Sequence, residues 1–428
     1  MADRVNVVLL GLGVIGSGVA RALQERVETY SRRIGTPLIL RRILERRLDR
    51  AQAAGVDPAL LTADVQEALS GDVDIVIELL GGEHPAYDLM KDSLSRGRYV
   101  VTANKEVMAK HGPELLALAA ENGVDILYEA SVGGGIPIIS PLKRDLSANE
   151  ISSVRAIING TTNYILTRMS RDGMDFDDAL AQAQELGYAE ADPTNDVDGY
   201  DAAYKLAILA SLAFRTRVRI EDVHREGIRQ LAARDFRYAS ELGYAIKLLA
   251  VARREESSLQ LRVHATLVPE DELLAKVGGP INAVEIEGDL TGKVGFQGAG
   301  AGSLPTSSAV IADVLDAAKA VILETRPFPW RYAADLAVKP LAQLVTRYYI
   351  RLEVEDRPSV LAGIARAFGD HEVSIASVIQ KETDDAAQTA ELVIMTHQAQ
   401  EEAVQATLVQ VRELPQVVSV GNFLRVDG

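Results

Sequence analysis

The feature that most restricts this chain is its start. An unbroken apolar run, "VNVVLL" at residues 5–10, leads straight into Gly11-Leu12-Gly13-Val14-Ile15-Gly16, and a helical pattern follows over 14–30. A strand with no polar face has to be covered on both sides, which indicates a parallel sheet. The glycines then define the turn. Gly11 permits a tight bend, Gly13 lets backbone approach a ligand, and Gly16 lets the helix pack close to the sheet, while the helix start supplies unpaired N–H donors. Such a turn suits a pyrophosphate and so a dinucleotide, with Val14 and Ile15 in the same loop.

Similar runs recur as "LILRRIL" (38–44), "VDIVIELL" (73–80, ending at Gly81-Gly82), "YVVTAN" (99–104) and "VDILYEAS" (124–131), with helical stretches between them. The alternation predicts an α/β, Rossmann-type parallel-sheet domain over 1–130. From 131 the pattern changes. "SVGGGIPII" is a glycine-rich break, and "ISSVRAIINGTTNYIL" predicts a strand followed by a helix. Helical patterns cover 177–187 and 198–250, and "LQLRVHATLV" and "NAVEIEG" read as strands. This describes an α+β domain over 131–304. A glycine-rich turn in "GFQGAGAGSLPTSS" precedes a helix at about 305–323, expected to return to the first domain. Residues 324–345 are proline-punctuated and read as a linker. Over 346–428 strand, helix, strand, strand, helix and strand succeed one another, a ferredoxin-like βαββαβ order.

Composition excludes whole classes of chemistry. The chain has 428 residues, no cysteine and a formal net charge of −16. Without cysteine there are no disulfides, thiolate metal sites or thioester intermediates. The acidity argues against a nucleic-acid partner. No apolar run is long enough to span a membrane, and no basic leader precedes the first strand, so a cytoplasmic location is expected.

Several side chains are placed where chemistry could occur. The end of the second strand reads Arg41-Arg42-Ile43-Leu44-Glu45-Arg46-Arg47. A carboxylate there suits the 2′-hydroxyl of NAD, and Arg42 or Arg46 suits the 2′-phosphate of NADP, so the choice stays open. Thr102, Asn104 and Lys105 follow the fourth strand, where loops face the ligand crevice. In "LGYAEADPTNDVDGYDAAYKLAIL" Glu190, Asp192, Asp196, Asp198 and Asp201 crowd together, and Asp201 and Lys205 share one helix face. Carboxylates so dense suit a substrate ammonium, and the lysine could exchange a proton with an alcohol oxygen. They could equally form ordinary turns and an N-cap at Asp198. Glu129 in "YEASVGGGIP" could join turn carbonyls around a monovalent cation, or the segment could be only a turn. Neither H-E-x-x-H nor a nucleophile elbow occurs.

Taken together, "GLGVIGSGV" (11–19), "VTANKE" (101–106), "EASVGGGIPII" (129–139), "NGTTNYIL" (159–166), "GYAEADPTNDVDGYDAAYK" (187–205) and "GAGAGSLPT" (298–306) make the chain similar to homoserine dehydrogenase over essentially its whole length. "EDRPSVLAGIARAF" (355–368) resembles the opening of an ACT domain, although Ser359 stands where a glycine commonly follows the proline.

The resemblance implies reversible hydride transfer between L-homoserine and L-aspartate 4-semialdehyde with NADP or NAD, in threonine, methionine and isoleucine biosynthesis. It implies that Lys205 exchanges the proton with the substrate oxygen and that Lys105 assists at cofactor and substrate. Glu190, Asp196 and Asp201 then bind substrate, and Gly187 and Gly302 touch the cofactor. Glu129, Val132, Gly134 and Ile136 form a sodium site. It further implies dimerisation through the middle domain, a homodimer or homotetramer, and threonine as an ACT effector. A lysine with its ordinary pKa of ~10.4 is a ready acid at neutral pH, which favours aldehyde reduction. Two rival readings are a Rossmann oxidoreductase acting on another amino acid or semialdehyde, and a non-catalytic nucleotide and amino-acid sensor. Lys105 and Lys205 count against the second.

Overall fold

The computed structural model describes residues 2–47, 55–325, 330–384 and 386–427; residues 326–329 of the expected linker lie outside this set. The chain divides into two compact units. The first comprises Met1–Val154, Tyr204–Asp222 and Asn282–Asp335, and the second Arg155–Ala203, Val223–Ile281 and Leu336–Gly428.

The first unit is built on six strands: β1 (Val5–Leu10), β2 (Leu38–Leu44), β3 (Leu61–Thr62), β4 (Ile75–Glu78), β5 (Tyr99–Thr102) and β6 (Ile126–Leu127). They pair in the order β3-β2-β1-β4-β5-β6, and every pairing is parallel. All of β1 is buried, as its continuous apolar run requires. The strand order reverses between β1 and β4, and ligands of such sheets sit beyond the carboxyl ends at that switch. Gly11 follows β1 there, and Leu79–Gly82 follow β4.

The helical pattern of 14–30 resolves into two helices, Val14–Glu25 and Val27–Ile34, because Arg26 leaves helical backbone (φ −119°, ψ 13°). Helix Ser303–Leu323 packs on the first of these within the same unit. A side chain at Gly18 would come within 2.5 Å of the Ser303 and Ser307 hydroxyls, so this glycine sets how closely the two helices approach.

The expected helix over 198–250 is corrected. Tyr200–Ala213 and Ala233–Glu241 are helical, but Tyr244–Glu255 is a strand. The Ala- and Leu-rich "AIKLLAVA" favours helix locally. Antiparallel pairing along its full length with Ser258–Pro269, from Tyr244↔Pro269 to Glu255↔Ser258, overrides that preference. Similarly, "GFQGA" belongs to strand Gly292–Ala299 and not to a turn.

The C-terminal segment has the expected order: Tyr348–Glu355, helix Val360–Asp370, Ile375–Asp384, Thr389–Thr396, helix Glu401–Arg412 and Val417–Val426. Its last strand runs parallel to Ser258–Pro269, with Thr266 opposite Arg425 and Leu267 opposite Val426. The second unit therefore shares one sheet, ordered Tyr244–Glu255, Ser258–Pro269, Val417–Val426, Tyr348–Glu355, Thr389–Thr396, Ile375–Asp384. A buried polar cluster joins helix Ala233–Glu241 to that sheet. Fully buried Asp235 accepts from Arg351 Nε (2.7 Å), Tyr349 and Asn422, and Tyr238 donates to Glu391 (2.6 Å). Among the described residues no helix is long and apolar enough to cross a membrane.

Candidate active site

The glycine turn of the first unit combines two crowded positions with one open one. Gly11 has φ +98°, and a side chain there would meet the Leu79 carbonyl oxygen at 2.8 Å. A side chain at Gly16 would collide with the Gly11 carbonyl. At Gly13 nothing lies within 4 Å of where a side chain would stand, so backbone is open to a ligand. Helix Val14–Glu25 starts at this point with no side-chain cap, which leaves its first N–H groups for an anion. Gly302, with φ +113°, precedes the second helix, and Ser303 donates to the Val14 carbonyl oxygen (2.9 Å). Val14 and Leu304 are 74% and 77% exposed, an apolar surface beside the turn that a bound ring would cover.

At the end of β2, Glu45 is engaged by the chain itself. Its carboxylate accepts from the Leu12 and Arg47 N–H groups (3.0 and 2.9 Å). Arg42 faces Glu67 at 3.6 Å, and Arg46 is exposed.

Thr102 and Asn104 are turned inward. Thr102 donates to buried Glu78 (2.7 Å), which also accepts from Leu80 N–H (2.7 Å). Burial raises the Glu78 carboxyl above its usual range despite these hydrogen bonds. Asn104 N–H donates to Thr102, its amide nitrogen donates to the Gly82 carbonyl (2.7 Å), and its amide oxygen caps helix Lys105–Glu121. These bonds shape a cavity of about 230 Å³ lined by Ile15, Leu79, Gly82, Asn104 and Lys105, with Lys105 the first residue of the helix.

The glycine-rich break lies in the first unit too. The Glu129 carboxylate accepts from Ile138, Ile139 and Ser140 N–H (2.5, 2.8 and 2.7 Å), so it caps helix Ile139–Lys143. Val132, Gly134 and Ile136 line the turn, where Gly133 and Gly134 have φ of +74° and +54°. Gly134 packs so tightly on Gly300 that a side chain would lie 2.5 Å from the Gly300 carbonyl oxygen.

Asp196 lies in the short helix Thr194–Val197, and Asp201, 4% exposed, is in the first turn of helix Tyr200–Ala213, which also carries Lys205. Asn159 brings the two aspartates together. Its amide nitrogen donates to Asp196 (2.7 Å) and Asp201 (2.9 Å), while its oxygen caps helix Gly160–Asp172. Gly187 (φ +75°) and Glu190 lie on an exposed turn, and Gln184 donates to the Glu190 carbonyl.

Comparison with known proteins matches three family models: homoserine dehydrogenase, NAD binding domain, over residues 11–129; homoserine dehydrogenase over 137–315; and the ACT domain over 348–415. The homoserine dehydrogenase of Synechocystis is 43% identical, with 99% of both chains covered, and that of Pseudomonas aeruginosa is 40% identical over the same shares. The chain belongs to the homoserine dehydrogenase family. The crystal structure of the Thiobacillus denitrificans homoserine dehydrogenase superimposes with a TM-score of 0.93 at 42% identity, covering 99% of this chain and 98% of that one. A hyperthermophilic archaeal homoserine dehydrogenase in complex with NADPH gives 0.61 at 28% identity, covering 77% and 100%. This homoserine dehydrogenase chain is thus an oxidoreductase with a Rossmann-type domain for a nicotinamide cofactor and a C-terminal ACT domain.

Two residues of this dehydrogenase that sequence reasoning missed are Asn159 and Glu78. Asn159 stands directly before a helix, an N-cap signal, but its aspartate partners are 37 and 42 positions away. Glu78 is the one charged side chain at the end of an otherwise apolar strand run, which marks it for an internal partner.

Proposed function

We propose that the chain interconverts L-homoserine and L-aspartate 4-semialdehyde, with NADP as the preferred cofactor, and that threonine bound by the ACT domain lowers its activity. The observation that carries the substrate is the Asp196–Asn159–Asp201 arrangement, with Lys205 four residues further along the Asp201 helix. Two carboxylates held by one amide suit an ammonium and a hydroxyl on one short molecule. Glu190 adds a further carboxylate.

The turn at Gly11–Gly16 and the uncapped helix start would hold the cofactor pyrophosphate, with Val14, Ile15, Thr102, Asn104, Lys105 and Gly302 of the same unit as further cofactor residues; Gly187 is a cofactor residue by resemblance to the family. NADP is favoured because Glu45 is engaged by two backbone N–H groups while Arg46 remains exposed, with Arg42 nearby, and because an archaeal relative holds NADPH. The chemistry supplied by the bound nicotinamide is hydride transfer to, or from, the carbon bearing the substrate oxygen.

Lys205 donates its ammonium proton to the carbonyl oxygen in reduction and takes it back in oxidation. Lys105 steadies that oxygen. Main-chain carbonyls of Glu129, Val132, Gly134 and Ile136 would bind sodium, since neutral oxygens suit a monovalent cation and the Glu129 carboxylate is already used as a cap. The assembly is a homodimer or homotetramer, and sedimentation distinguishes the two.

The test is oxidation of NADPH, against NADH, with aspartate semialdehyde, repeated with millimolar threonine. Lys205→Ala is expected to lose turnover by about 10²-fold or more while cofactor binding persists. Equal loss of both in a fluorescence titration would contradict a purely catalytic role, and a rate indifferent to threonine would remove the effector.

A further inference from the structure

Behind the acidic turn of the second unit runs a short segment, His224–Arg229, that the reaction chemistry does not use. It contacts the turn at every step. The Arg225 guanidinium lies 3.4 Å over the Tyr200 ring. Gly199 packs against the Glu226 carbonyl oxygen. A side chain on Gly227 would sit 2.6 Å from the Val197 carbonyl oxygen. Ile228 N–H donates to that same carbonyl (2.9 Å), and Arg229 pairs with Asp198 at 2.6 Å. Residues 197–200, which separate Asp196 from Asp201, are held on one side by the backbone hydrogen bonds of their own short helix, to Pro193, Thr194 and Asp196, and on the other by this segment.

The segment is itself held from the far side. His224–Arg225 pair in parallel with Arg262–Val263, and Glu226 N–H donates to the Val263 carbonyl (2.8 Å). The Glu226 carboxylate takes both nitrogens of one edge of Arg425 (2.9 and 2.9 Å) and one nitrogen of His224 (2.8 Å). Arg425 is 2% exposed, and its remaining face is committed to Glu401 (2.8 and 2.7 Å) at the start of helix Glu401–Arg412. Burial raises the Glu226 carboxyl, but the hydrogen bonds from His224 and Arg425 outweigh it and hold the group ionised. A guanidinium buried between two carboxylates has no water to turn to, so releasing Glu226 would leave N–H donors on that edge unsatisfied although Glu401 still balances the charge. Movement of the Glu401 helix must therefore move Glu226 or break the pair.

We propose that Glu226 and Arg229 are positioning residues for the substrate turn, and that Arg425 ties that turn to the C-terminal domain. The proposal rests on the reading that Asp196 and Asp201 bind the amino-acid substrate. It places the domain's influence on substrate affinity rather than on hydride transfer or cofactor binding.

Steady-state kinetics of the full-length enzyme test it with Glu226→Gln, Arg229→Gln, Arg229→Lys, Arg425→Lys and the Glu226→Gln/Arg425→Lys double variant. Glu226→Gln and Arg229→Gln should each raise KM for aspartate semialdehyde by roughly tenfold, with kcat and cofactor KM little changed. Arg229→Lys should restore KM. The double variant should be no worse than either single one, because both remove the same link. Lower melting temperatures with unmoved substrate KM would show a merely structural role and overturn the proposal. The Arg229–Asp198 pair is partly exposed, so the Arg229 variants report even if the buried ones fail to fold. Asp201→Asn separates the two levels. If it raises substrate KM while Glu226→Gln and Arg229→Gln do not, the positioning role fails alone. If Asp201→Asn leaves KM unchanged, the substrate reading falls and this proposal with it.

Discussion

At Ser359 the backbone is left-handed, with φ +75°, directly before helix Val360–Asp370. A side chain there costs about 1–2 kcal/mol of strain. Glycine would relieve it, but loses about 0.5–1 kcal/mol through extra freedom in the unfolded chain. The strain is larger, so Ser359→Gly should stabilise by about 0.5–1 kcal/mol in urea denaturation; an unchanged or lower midpoint would show that the serine makes a compensating contact. The sequence pointed to this position through a departure from an expected glycine. It was legible because φ is a local property. Lys247 was not. It sits in a run that looks helical, yet it is buried and donates to the Val277 carbonyl (2.6 Å). Burial pushes its pKa down to about 8, with Arg171 adding to the effect. The native state therefore holds fewer protons than the unfolded chain between about pH 8 and ~10.4, and stability rises with pH across that window. The full rise is about 3 kcal/mol. In Lys247→Met that contribution should vanish, so urea midpoints at pH 8 and pH 10 should differ less than in the parent.

At the scale of elements, legibility followed the range of the forces involved. The glycine turn, its flanking strand and the start of its helix are all specified within a few residues of each other, and they fold as read up to the break at Arg26. Strand Tyr244–Glu255 was misread because its Ala and Leu content favours helix, while what decides it is the partner strand after Glu256. The two aspartates were recognised as candidates, but not the amide between them, since it comes from a helix start far away in sequence. The cluster around Asp235 is of the same kind. It draws on helix Ala233–Glu241 and three strands of the shared sheet, and only the fold assembles it. Asp235→Ala would leave the Arg351 guanidinium, 11% exposed, with its main carboxylate gone. Breaking a buried pair from one side costs about 3–5 kcal/mol. Glu391 still reaches Arg351 at 3.1 Å, so the lower end is expected in chemical denaturation. A loss below about 1 kcal/mol would mean that water enters and solvates the cluster.

Over the whole molecule, the ACT domain and the hairpin Tyr244–Pro269 are one sheet, so the domain cannot be regarded as an appendage on a tether. The archaeal relative, whose whole length corresponds to 77% of this chain, shows that the family fold need not be this long. Here, however, Ser258–Pro269 is buried along all but its last residue, and part of that cover is Val417–Val426. Ending the chain after residue 344 would keep the edge pairings of Ser258–Leu259 and Arg262–Val263 but unpair Thr266 and Leu267, bare the apolar end of the strand there and leave Glu226 without Arg425. The truncated protein should therefore aggregate on expression or melt at a markedly lower temperature, as read by size-exclusion chromatography and thermal unfolding. A truncated chain that is monodisperse and melts with the parent would mean that the edge is closed by other contacts. The ACT domain would then be a separable regulator, not part of the scaffold on which the substrate turn is held.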